Sequence, residues 1–234
     1  MLSTVNIVET SRVPKTLVPG EQKVKINSIT LGQGYEANSY NVHLNVEGPD
    51  MGPDFEGFFK DADAKSGPRY TGQIGRVRLY PFAYKDGVTK SGIAVDRDQS
   101  ILKGLVGLAN AIGKRDKVDA IKASTIEDFV AQASIVLSGP TFINMILGGK
   151  TYDKGGYTQY DLFIPIDKTG KVGFELSTIE KAASKLMKYD PAVHIVGSKV
   201  AAKVDSFEPT GLPDNSLDTT GADFNQGGDD DLPF

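Results

Sequence analysis

Between Arg69 and Lys90 the chain places five basic residues, Arg69, Arg76, Arg78, Lys85 and Lys90, against one acid, Asp86. Their order tells more than their number. If residues 74–85 form one long strand, successive side chains point to opposite faces. Arg76, Arg78, Tyr80, Phe82 and Tyr84 then share one face, and Val77, Leu79 and Ala83 share the other, which can sit on a core. Guanidinium groups neutralise phosphates and release their counterions. Flat rings stack on unpaired bases at ~1–3 kcal/mol per base with little sequence preference. In a duplex the bases are already stacked, so this combination favours single strands. Phe58, Phe59, Lys60, Arg69 and Tyr70 stand at nearby loop or strand ends and extend the platform. Against this stands the ordinary use of strand aromatics for packing within a sheet. Pro81 also offers a point where the strand can break or bulge.

Other spacings carry less. Gly32-Gln33-Gly34-Tyr35-Glu36-Ala37 fits a loose dinucleotide-binding pattern, but a strand pattern rather than a helix follows it, which indicates a hairpin turn. Gly149-Lys150-Thr151 resembles the end of a phosphate-binding loop, yet Asn144 occupies the position that requires the earlier glycine. Asp96 and Asp98 lack a third carboxylate at the spacing of a two-metal nuclease, and Asp98 reads as a helix cap. The two histidines, His43 and His194, are isolated, and the absence of Cys excludes disulfides, thiolate zinc sites and Cys nucleophiles. No cofactor is called for.

The elements that must hold the stripe follow from periodicity. Val24 and Ile26 alternate with Lys23, Lys25 and Asn27, and Ile29 and Leu31 continue after a slip in register. Tyr40, Val42, Leu44 and Val46 form one face of the clearest strand, with Asn41, His43, Asn45 and Glu47 on its polar face, where His43 is expected to be solvated. A short aromatic strand is expected over residues 55–59, then a polar loop to residue 73. After Asp98 the period becomes helical through Ile101, Leu105, Leu108 and Ile112, and Ser124 with Glu127 reads as a capping box. Strands return over 141–147 and 157–165, and Ser177 opens a further helix through Met187. Short strands with helices inserted midway favour a mainly β fold, an OB-like barrel with a helical insertion over about 98–135, rather than alternating βαβ units.

With 234 residues, 39% hydrophobic, the chain suits one elaborated domain or two small ones, with a real core. No secretory signal is visible at Met1–Val5, and no stretch approaches the length of a membrane span. The net charge of −4 hides a division. Residues 204–234 carry eight acids and no Lys or Arg, which leaves residues 1–203 with 26 basic and 22 acidic side chains. Aliphatic residues are sparse beyond Val204, so this tail is expected to be disordered. A basic body with an acidic tail suggests nucleic-acid binding joined to a protein-interaction segment.

The chain ends Asp229-Asp230-Asp231-Leu232-Pro233-Phe234. This end resembles the acidic tip of bacterial and phage single-stranded DNA-binding proteins, whose bacterial form ends Asp-Asp-Asp-Ile-Pro-Phe; Leu232 is the one departure and keeps the apolar bulk. The resemblance covers the tail and the general plan, not the body. The family's usual core is about half the length of residues 1–203, and the helical segment departs from it, as in an enlarged phage-type variant. The resemblance implies an OB core, and partners among replication, recombination and repair proteins that seat the tip in an apolar pocket rimmed by Arg or Lys. As a flexible coil, the 31 residues from Val204 reach roughly 30 Å.

Together these readings predict a non-enzymatic protein of the bacterial or host cytoplasm, without membrane contact, that coats and protects single-stranded DNA. Residues 1–203 would bind the strand, and Asp229–Phe234 would recruit partners. The competing expectations are a metal-dependent DNA-processing enzyme and a structural assembly protein with an acidic docking tail.

Overall fold

The computed structural model describes residues 13–58, 69–89, 91–154, 157–165, 174–176 and 187–197, with backbone alone at 153–154, 157–158 and 174–176. The acidic tail with its tip, Phe59 and Lys60 lie outside the described residues. So does the helix expected from Ser177, except Met187, which is buried.

The strands β1 (Gly20–Gln33), β2 (Tyr40–Glu47) and β3 (Ile74–Arg78) form an antiparallel meander. A small ladder, β4 (Gly87–Val88) with β5 (Ala94–Val95), leads to three helices, α1 (Arg97–Ala111), α2 (Arg115–Asp119) and α3 (Ile126–Leu137). The long β6 (Ile143–Lys154) and β7 (Tyr157–Phe163) follow, and then β8 (Phe174–Leu176), α4 (Pro191–His194) and β9 (Ile195–Val196). β3 pairs in parallel with β7, β7 antiparallel with β6, and β6 with the start of β1, so five strands close into a barrel. The fold is mainly β with a few helices, consistent with an OB-like barrel. The strands after the helical segment complete the same barrel as those before it.

β1 serves two neighbours because it bends. Residues Gly20–Val24 pair with β6 and Lys25–Gln33 with β2, and the register shifts between Ile26 and Ser28. The extra residue, Asn27, is exposed, while Val24 and Ile26 before it and Ile29 after it are buried. A bulge of this kind bends its strand and resets which residues face inward, which is the slip legible in the sequence. On the far side of the bulge, the Ile29 amide donates to Ser134 Oγ of α3 at 2.7 Å.

Val42, Leu44 and Val46 of β2, Val77 of β3 and Leu162 of β7 fill the interior. Ile101, Leu105, Leu108 and Ala109 recur at helical spacing along α1 and join the same core. The caps sit close to the expected positions but not on them. Asp96, not Asp98, caps α1, its side chain accepting from the Gln99 amide, while Asp98 pairs with Arg97. Thr125, not Ser124, caps α3, and Glu127 instead accepts from the Tyr40 hydroxyl at 2.7 Å. Lys114 donates to the carbonyls of Val136, Leu137 and Ser138, satisfying the last turn of α3. The strand expected over residues 55–59 is absent: its described part, Phe55–Phe58, is irregular. No helix among the described residues is long and apolar enough to cross a membrane.

Candidate functional site

The outer face of β2 and β3 carries the residues that the alternation pointed to, but β3 ends at Arg78 and does not run to Lys85. Up to that point the expected alternation holds. Arg76 is exposed, Val77 is buried, Arg78 is half-buried and Leu79 is buried. The Leu79 amide still donates to the Val42 carbonyl. The backbone then leaves β2 and returns only at Tyr84, which exchanges two hydrogen bonds with Tyr40. Continuing the β2–β3 register would set residue 81 opposite Tyr40, so the excursion contains three extra residues. Pro81 lies inside it and has no amide hydrogen to give to a ladder.

An odd insertion reverses which face a side chain takes. Tyr84, expected beside Tyr80 and Phe82 on the exposed face, therefore turns inward and is 8% exposed. Its ring meets α1 where Gly104 leaves room: a Cβ there would lie 2.9 Å from the Tyr84 hydroxyl. Burial raises the Tyr84 phenol pKa. Phe82 remains outside at 58% exposure, and Tyr80 lies between the two, its ring 5.7 Å from Phe82 and 5.4 Å from Tyr84. The predicted stripe of three exposed rings is thus one exposed ring, one half-buried ring and one core ring.

A fourth ring, missed by the strand pattern, stands on the neighbouring turn. The β1–β2 turn is closed by the Gly34 amide donating to the Ser39 carbonyl, and Asn38 adopts φ 65° within it. Tyr35 projects from this turn, fully exposed. The turn lies against the excursion, because a Cβ on Gly34 would fall 3.1 Å from Ala83 Cβ and Lys85 pairs with Glu36 at 3.3 Å. Tyr35 and Phe82 therefore stand on adjoining segments at one end of the basic strip. The available signal was an aromatic residue set among polar neighbours at a hairpin turn.

Phe58, Arg69 and Tyr70 belong to the β2–β3 connection at the opposite end of β3. Five residues at ~3.3 Å each place roughly 16 Å of strand between the two ends. Phe58 is exposed, with Lys15 Nζ 5.9 Å from its ring centre, and Arg69 lies 3.8 Å from Glu56. Tyr70 is tied down: its hydroxyl donates to the Gly48 carbonyl at 2.6 Å, and burial, reinforced by Glu47, pushes its pKa up to about 12.

The two arginines of the strip differ. Arg76 is exposed and donates through Nη2 to His43 Nδ1 at 3.2 Å; among the described residues it forms no ion pair. Arg78 forms an ion pair with Asp161 of β7 and donates to the Pro81 carbonyl at 3.3 Å. His43 is half-buried between these cations, not solvated as expected. Burial first, then the charges of Arg76 and Arg78, depress its pKa to about 4. The unfolded imidazole takes a proton near pH ~6.5. Between these values the unfolded chain binds the proton and the folded chain does not, so stability falls as pH drops through that window. His43→Gln, which retains an acceptor for Arg76, should lose less stability than the wild type between about pH 7 and about pH 4. Parallel urea-unfolding profiles for the two proteins would refute this.

Near the excursion, Asn41 on the outer side of β2 holds a buried Oδ1 with no hydrogen-bond partner among the described residues. The surface thus offers an accessible guanidinium and exposed rings at both ends. It can attract an anion and stack flat groups. Among the described residues no cluster of three or more His, Asp or Glu is arranged to hold a metal. Comparison with known protein families, curated proteins and solved structures finds no match for the chain.

Proposed function

We propose that this protein is a single-stranded DNA-binding protein that coats and protects exposed strands during replication, recombination and repair. In this reading the barrel is an OB domain acting without catalysis in the cytoplasm of a bacterium or an infected host. The supporting observation is the exposed Arg76 on the outer face of β2 and β3, with two exposed rings, Phe82 and Tyr35, on the adjoining excursion and β1–β2 turn. In OB folds, oligonucleotides bind on that strand face and on the loop joining the first two strands. Arg76 meets the phosphates, and Phe82 and Tyr35 stack on bases. Phe58 and Arg69 extend the track toward the far end of β3. Duplex bases, already paired and stacked, gain little from the rings. The terminal residues Asp229–Phe234 recruit partner proteins, with three charges for long-range attraction and Phe234 for an apolar pocket.

A titration with labelled oligo-dT and duplex probes, at two salt concentrations and with magnesium, tests the reading. Expected are preference for the single strand, weaker binding at higher salt and an uncut probe. Magnesium-dependent cleavage would instead indicate a processing enzyme. Indifference to both probes would indicate an assembly protein, and either result overturns the proposal.

A further inference from the structure

Arg78 lies in the basic strip, yet its guanidinium is already occupied on two sides. Nε and Nη2 face the Asp161 carboxylate of β7, and Nη1 donates to the carbonyl of Pro81. Its side chain is 21% exposed, and burial lowers its pKa. Pro81 is the residue at which the chain has left β2, between Tyr80 and Phe82. The excursion has lost its ladder bonds from Tyr80 to Ala83, and Arg78 links it to the neighbouring strand β7. A planar guanidinium suits this task because its fixed fork can hold a carboxylate and a carbonyl together.

We infer that Arg78 is a positioning residue: it braces the 80–83 excursion against β7 so that Phe82 is presented to a base, while Arg76 makes the phosphate contact. This deepens the single-strand reading above and rests on it. A phosphate-binding Arg78 makes the opposite prediction for Asp161. If Asp161 competes with DNA for Arg78, removing its charge frees a cation and tightens binding. If Asp161 anchors the brace, removing its charge loosens the excursion and weakens binding.

The test measures labelled oligo-dT binding over a salt series for Arg76→Gln, Arg78→Gln, Asp161→Asn and Phe82→Ala. Arg76→Gln should flatten the salt slope by about 0.7, the value for one phosphate on a single strand. Arg78→Gln and Asp161→Asn should keep the wild-type slope and weaken binding on the order of tenfold, in the range of one lost stacked base. Adding Phe82→Ala to Arg78→Gln should cost little more than the worse single change, because both remove the same contact. Hydrogen exchange in free protein gives a readout that needs no DNA. The hydrogen-bonded amides that flank the excursion, Leu79 and Tyr84, should exchange faster in Arg78→Gln and Asp161→Asn, and at the wild-type rate in Arg76→Gln. Tighter binding with a steeper slope in Asp161→Asn, a slope loss in Arg78→Gln equal to that in Arg76→Gln, or unchanged exchange each overturns the brace. Wild-type protein that ignores oligo-dT removes the single-strand reading itself, and the brace with it.

Discussion

Replacing Tyr35 and Phe82 together by alanine is expected to lower affinity for oligo-dT by about 30-fold or more, with little change in salt slope or Tm. Each ring lost from a stacked base removes ~1–3 kcal/mol, and ~1.4 kcal/mol is tenfold in affinity. Both side chains are exposed, so truncating them leaves no cavity, and exposed positions usually change stability by no more than ~0.5 kcal/mol. Neither residue carries charge, so the number of counterions released stays the same. Fluorescence anisotropy of a labelled oligonucleotide, with a thermal melt of the free protein, reads all three quantities. Unchanged affinity in the double variant would remove base stacking from this end of the barrel.

Tyr84→Ala should behave in the opposite way. Tyr84 is a core residue, held in ladder contact with Tyr40 and packed near Leu79 and Gly104. Emptying a buried aromatic site costs ~3–5 kcal/mol. In a chain of this size that corresponds to a Tm lower by roughly 6–20 °C. Denaturant unfolding should show the midpoint falling. Tyr84→Phe, which keeps the ring, should bind oligo-dT as the wild type does. If Tyr84→Ala keeps full stability and instead weakens binding, the ring faces solvent and the three-residue excursion is misplaced. The pair of experiments separates two residues that sit two positions apart and look equivalent in the sequence.

Their divergence shows where sequence reading stops. Alternation is a local property, and it held wherever the ladder was continuous: in β2, from Arg76 of β3 to Leu79 and on both sides of the β1 bulge. It failed after Leu79 because the number of residues in an excursion is set by where the chain next finds a partner. That partner is Tyr40, more than forty positions upstream. The helical segment was legible from its period, but its caps were displaced by one or two residues. Two residues able to cap stand within two positions of each other at both N-termini, Asp96 and Asp98 at α1 and Ser124 and Thr125 at α3, and only the backbone geometry chooses between them.

Charge asymmetry, the mainly β character, the helical insertion and the Arg76–Arg78 alternation were contained in the order of the residues. They depend on composition and on neighbours a few positions apart. Closure of β1 onto β6, the inward turn of Tyr84, the approach of the β1–β2 turn to the 80–83 excursion and the capture of Arg78 by Asp161 were decided by the tertiary structure. Each joins parts of the chain that are distant in sequence or measures an excursion whose length no local pattern specifies. A side chain's face can be read from its neighbours, whereas its partner depends on how the barrel closes.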